Sequence, residues 1–106
     1  MPPRTIDRGE VWLTDLGMVA KVRPCLVLSV APGPTDRVLF TLVLHTTSIH
    51  GTGFETAVPV LFLRPGVFDA QGLVTVPRTR LIRMLGVLPP DGLASVEAAV
   101  RMWLGL

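Results

Sequence analysis

RGEVWLTDLGMVAKVRPCLVLSV, residues 8–30, divides into two strand-forming runs around a short connection. In the first run Val11 and Leu13 alternate with Glu10, Trp12 and Thr14, the two-residue period of a strand with one face buried. In the second, Cys25, Leu26, Val27 and Leu28 are apolar on both faces, as in a central strand covered from both sides. Residues 16–22 join the two, and Gly17 allows the turn. Arg23 stands where that connection meets the core, and Pro24 restricts the backbone there. A charge held at the mouth of a rigid strand can be aimed; a charge on a loose loop cannot.

Outward from this stretch, short apolar runs alternate with breakers. Residues 1–7, polar with two prolines, read as a mobile arm. The first strand spans about 10–15 and the second 23–30, followed by the breaker-dense turn APGPTD at 31–36. RVLFTLVLH, 37–45, forms a second doubly buried strand, so strands two and three make a hairpin at the centre of the fold. A polar loop, 46–53, leads to a fourth strand at 55–63, which Pro59 marks as an edge or a bulge. A turn at 64–66 precedes a fifth strand at 67–76, interrupted around Gly72, and 78–88 reads as a short strand or a pair of turns. From Pro89 the period changes: Leu93, Val96, Val100 and Trp103 fall at helical spacing, and the helix ends before Gly105. The order predicts one mainly β domain over 1–106: a strongly bent sheet, partly closed into a barrel, with one C-terminal helix packed on it.

Composition narrows the class. A chain of 106 residues has room for one core, and 49% hydrophobic against 17% charged residues is rich for so small a monomer. A homodimer interface is the ordinary destination for such a surplus. A net charge of +2 permits a polyanionic partner without requiring one. One cysteine excludes an internal disulfide, and no second Cys or paired His supplies metal-ligand spacing; Cys25 reads as a small buried hydrophobe. No apolar run reaches membrane-spanning length and the first residues lack a signal-peptide core, so a soluble cytoplasmic protein without cofactor or metal is expected.

Arg8-Gly9-Glu10-Val11-Trp12 followed by Arg23-Pro24-Cys25-Leu26-Val27-Leu28-Ser29 resembles the opening of the MazF/PemK toxin family. The resemblance continues through Leu44-His45-Thr46-Thr47-Ser48 to Leu85-Gly86-Val87-Leu88 and the helical tail. It implies an SH3-like barrel of the PemK/CcdB type, usually dimeric. It further implies a toxin of a type II toxin–antitoxin pair that cuts single-stranded mRNA without a metal, leaving 2′,3′-cyclic phosphate and 5′-hydroxyl ends. A cognate antitoxin protein is the implied partner. Family correspondence assigns catalysis to Arg23 and the scissile-phosphate hydrogen bond to Thr46.

Residue chemistry can be weighed beside that resemblance. Metal-free RNA cleavage needs a base for the 2′-hydroxyl, a cation for the developing phosphate charge and a proton for the 5′-oxygen. Arg23 suits the cation role because its planar fork holds two phosphate oxygens, and its high pKa makes it a poor proton shuttle. Taken alone it reads as a surface Arg held by Pro24 at a strand start. Thr46 and Thr47 end a strand and point in opposite directions, so one of them faces a site shared with Arg23; β-branching alone also accounts for both. His45 points the other way from Thr46 and reads as structural, with the general base unassigned. Thr47, Ser48 and His50 in the polar loop, Gln71 on the fifth strand, Lys21 in the connection and Arg78 in an Arg78/Arg80/Arg83 cluster are the candidates for RNA contact. The connection 16–22 is shorter than in many members, which leaves the groove open. PemK-type members carry an Arg and an Asp near the fifth strand, where this chain has Asp69 and Gln71 and no Arg. Two other functions stay open: a CcdB-like toxin that binds DNA gyrase without cutting RNA, and a non-catalytic RNA-binding barrel.

Overall fold

The computed structural model describes residues 5–17 and 21–106. Six antiparallel strands form one sheet: β1 (Glu10–Asp15), β2 (Val22–Val27), β3 (Leu39–Thr46), β4 (Glu55–Thr56), β5 (Val67–Pro77) and β6 (Leu81–Val87), in the spatial order β4-β5-β3-β2-β1-β6. A single 3-10 turn, Arg78–Arg80, joins β5 to β6, and α1 (Pro90–Leu104) closes the chain. The predicted mainly β fold with one C-terminal helix is the fold observed, with β2 and β3 at the middle of the sheet.

Both faces of the sheet are buried, because successive strand residues feed two different cores. Val11, Leu26, Val43, Phe68 and Ala70 pack on one face against Val96, Ala99 and Val100 of α1. Trp12, Cys25, Val27, Phe40, Leu42 and Leu81 fill the other, which a curling sheet encloses by itself. β1 therefore departs from the half-buried strand predicted for it. Trp12 is 3% and Thr14 0% exposed, because their face looks into the second core. Glu10 is buried beside them, and one of its carboxylate oxygens accepts from Trp12 Nε1 at 2.9 Å and from the Asp7 backbone N–H at 3.0 Å. Those two bonds compensate a carboxylate that has lost much of its water.

Two further expectations are corrected and a third is resolved. The arm was placed at 1–7, yet Ile6 is buried in the second core and Asp7 bonds Glu10, so the anchored chain begins at Ile6; residues 1–4 lie outside the described residues. The fourth strand, predicted over 55–63, pairs only at Glu55 and Thr56. Beyond it Pro59 lacks the donor a ladder requires, and the chain turns at Val60–Leu63 instead. Its alternate apolar residues Val58, Val60 and Phe62 pack on the first core without pairing to a strand. Third, of the two readings of 78–88 the strand is the one observed, as the seven-residue β6, preceded by the 3-10 turn. The interruption predicted around Gly72 is a bulge: partners of Val43 and Leu44 jump from Leu73 to Asp69, leaving Ala70, Gln71 and Gly72 as the extra residues.

The helix begins with Pro90 in its first turn and ends as predicted at Gly105, whose φ of 72° is left-handed. Gly105 N–H bonds Met102 O at 3.3 Å and Leu106 N–H bonds Arg101 O at 2.9 Å, the paired closure of a Schellman end. Arg8 ties the start of the sheet to this helix, since its guanidinium meets both the Glu97 carboxylate and the Leu28 carbonyl. Among the described residues no helix is long and apolar enough to cross a membrane.

Candidate active site

Strand alternation puts Arg23 and Thr46 on one face. The β2–β3 ladder pairs Val27 with Leu42, Leu26 with Val43 and Cys25 with Leu44. The ladder ends there; Arg23 lies two residues beyond Cys25 and Thr46 two beyond Leu44, so strand alternation sends both off the same face. Across β1 that face continues with Thr14, which pairs with Arg23. The other partner of Arg23's strand, Cys25, lies on this face as well. Burial pushes the Cys25 thiol up to about 11, against the opposing pull of the Thr14 hydroxyl and the Arg23 charge. It is an inert core group, as predicted.

At this end of the sheet lies a cavity of about 560 Å³. Arg23 and Pro24 enter it from β2, His45, Thr46 and Thr47 from the end of β3, Leu13 and Leu85 from β1 and β6, and Lys21 from the connection. Phe62, Leu63 and Arg64 close it from the loop after β4. Among the described residues its charged side chains are Lys21, Arg23 and Arg64, all cationic, and no acid lines it. Such a lining favours an anion.

Each member is positioned by identifiable contacts. The Lys21 backbone is tied back to the start of the connection: its carbonyl accepts from Leu16 N–H at 2.8 Å and its N–H donates to Gly17 O at 2.7 Å. Thr46 Oγ1 accepts from Ser48 N–H at 3.0 Å, which orients the hydroxyl and leaves its proton to donate elsewhere. His45 is 5% exposed and stacks edge-on against Phe68, centroids 4.9 Å apart, and burial lowers its pKa. Gly66 makes the close approach possible on its other side: a Cβ there would lie 2.3 Å from Thr46 O and 2.8 Å from His45 Cε1. Phe62 reaches the cavity over Gly86, where a Cβ would sit 2.4 Å from its ring.

Of the residues singled out in the sequence, Arg23, Thr46, Thr47 and Lys21 line one cavity; Ser48, His50, Gln71 and Arg78 do not. Ser48 supports Thr46 through its backbone. His50 belongs to a separate arrangement in which the Glu55 carboxylate accepts from His50, Gly51 and Thr52 N–H groups at 3.0, 2.6 and 3.0 Å. The His50 bond is the largest of the causes that hold Glu55 below its ordinary pKa. The polar loop is thus an organised turn. Gln71 is exposed on the β5 bulge, its N–H donated to Asp69 Oδ1 at 3.0 Å, and Arg78 sits in the 3-10 turn. The length of the connection and its effect on the groove turn on Met18–Ala20, which lie outside the described residues.

Sequence reasoning missed Arg64 and set His45 aside. A signal for the first was present: Arg64-Pro65 repeats the Arg23-Pro24 pairing, each an Arg held at a constrained joint. For His45 there was none, since strand alternation places it with Val43 and Phe68 on the first core. At the end of β3 the cavity reaches round both faces of the strand and touches it as well.

Comparison with known proteins bears on the fold and the family. MazF from Deinococcus radiodurans (Form-I) superposes with a TM-score of 0.82 at 28% identity, covering 98% of this chain and 100% of that one. A chain of the Deinococcus radiodurans MazE–MazF complex (Form-II) gives 0.79 at 29%, covering 98% and 99%. An endoribonuclease in complex with its cognate antitoxin, from a mycobacterial species, shares the fold with a TM-score of 0.83 at 24% identity, covering 95% and 96%. The family of PemK-like, MazF-like toxins of type II toxin–antitoxin systems matches residues 7–104. Fold, motif and family match coincide over nearly the whole chain, and it belongs to the PemK/MazF toxin family of type II toxin–antitoxin systems.

Proposed function

We propose that the chain is a metal-independent endoribonuclease that cuts single-stranded RNA in the cavity between β2 and β3. The observation that carries this reading is that Arg23 and Thr46 line one cavity whose charged groups, among the described residues, are all cations. The Arg23 guanidinium would hold both non-bridging oxygens of the scissile phosphate and stabilise their growing charge. Thr46 would donate its hydroxyl proton to the same group, with Lys21 and Arg64 on neighbouring phosphates and Phe62 offering a face to a base. Attack by the adjacent 2′-oxygen then leaves a 2′,3′-cyclic phosphate and a 5′-hydroxyl.

Neighbouring structures of this fold include a complex with a cognate antitoxin, and this chain's partner is assigned by the same chemistry. An acidic, partly apolar antitoxin segment would imitate the RNA backbone across the cationic cavity and exclude it. Exposed Leu61, Ile82, Val87 and Leu104 are in keeping with a homodimer in the cytoplasm.

Incubating the purified protein with a long single-stranded RNA in EDTA tests the reading. Defined fragments with cyclic phosphate ends are expected. Intact RNA, together with inhibition of DNA gyrase, would replace it with the gyrase-poison alternative.

A further inference from the structure

We propose that His45 is the base that accepts the 2′-hydroxyl proton during RNA cleavage, an assignment that rests on the endoribonuclease reading above. Among the described residues the cavity's other polar side chains are three cations and two threonine hydroxyls, and His45 is its one imidazole, the side chain suited to accept a proton near neutral pH.

Its geometry suits the task. Phe68 and the Gly66 backbone hold the imidazole between them, so its orientation is fixed by packing. Among the described residues no buried side-chain nitrogen lacks a partner, and His45 is one of the residues that line the cavity. His45 and Thr46 both line this cavity at the end of β3. The charged groups that share this space are Arg23 from β2, Lys21 from the connection and Arg64 from the loop after β4. None supplies a negative charge to stabilise an imidazolium, and burial already holds His45 below its ordinary pKa. The resting ring is the neutral, proton-accepting form.

The step balances without a further reactant. The 2′-hydroxyl proton passes to a ring nitrogen as the 2′-oxygen bonds to phosphorus. The bond from phosphorus to the 5′-oxygen breaks, and that oxygen takes a proton from water. The imidazolium then returns its proton to solvent.

The test is the pH dependence of kcat/KM on a defined oligoribonucleotide for the wild-type protein and His45→Gln. Wild-type activity should rise with pH to a plateau, with its inflection below the ordinary value of 6.5. His45→Gln should lose that inflection and fall by about 100- to 10,000-fold. It should keep wild-type affinity for the same oligonucleotide carrying a 2′-deoxy residue at the cleavage site, which a merely structural loss would weaken. A folded His45→Gln protein with the wild-type rate and pH profile overturns the assignment. If the variant does not fold, NMR titration of His45 in the wild-type protein decides. A ring pKa matching the kinetic inflection supports the assignment and a mismatch overturns it. Failure of the wild-type protein to cut RNA strikes the endoribonuclease reading itself.

Discussion

Gly66→Ala places one methyl group where the fold has no room for it. The added carbon would lie 2.3 Å from the Thr46 carbonyl oxygen, against ordinary contact from 3.4 Å, a shortfall of about 1.1 Å. Neither neighbour can swing aside, because one is strand backbone and the other is the packed ring of His45, 2.8 Å away. The loop or the end of β3 must move by about 1 Å, and overpacking of this kind costs about 1–3 kcal/mol. For a domain of this size that is a fall in Tm of roughly 4 °C per kcal/mol. Because the displaced atoms belong to Thr46 and His45, cleavage should fall by on the order of 100-fold, the usual result of a 1 Å misplacement. Thermal unfolding followed by circular dichroism, with single-turnover cleavage of an oligoribonucleotide, measures both effects. A variant with the wild-type Tm and the wild-type rate would refute the claim that Gly66 sets the spacing of the site.

Other substitutions probe separate parts of the account. Arg23→Ala should reduce cleavage by on the order of 100-fold or more while leaving the unfolding transition in place, and Thr46→Ala should cost less, measured by the same single-turnover assay. RNA bound to the Arg23→Ala protein should be displaced by the cognate antitoxin in a fluorescence competition; a ternary complex with unchanged RNA affinity would put the antitoxin elsewhere. The Cys25 thiol, raised to about 11 by burial, should resist a thiol reagent at pH 8 until the protein is unfolded by urea. His45 is held below its ordinary 6.5 by burial, so the unfolded chain binds its proton first. Stability is complete above that value and declines as pH falls below it, and His45→Gln should flatten that part of a urea-midpoint profile. Glu55→Gln weakens the carboxylate's hold on three backbone N–H groups, and hydrogen exchange at His50, Gly51 and Thr52 should accelerate with no loss of the core.

The central strands and the helix were legible because their signals are local. Cys25 to Val27 and Phe40 to Val43 are apolar on both faces, and the Gly105 stop follows from helix-end geometry. What escaped depends on distant parts of the chain. Trp12 looked like a solvent-facing residue because its cover, Phe40 and Leu81, arrives from two other strands. Residues 57–63 keep a strand's alternation because Val58 and Phe62 must reach the core, yet that period says nothing about whether the backbone finds a partner. Arg23 and Thr46 were named together through the family motif, and both line one cavity. Arg64 joins them only because the loop folds back over Gly86, a contact between residues distant in sequence.

The most direct test of the account is mass spectrometry of the products from one defined oligoribonucleotide, treated in EDTA with the wild-type protein and with Arg23→Ala. The account predicts 2′,3′-cyclic phosphate and 5′-hydroxyl ends with the wild-type protein and intact RNA over the same interval with the variant. Fragments ending in 3′-hydroxyls, or equal cleavage by both proteins, would contradict it.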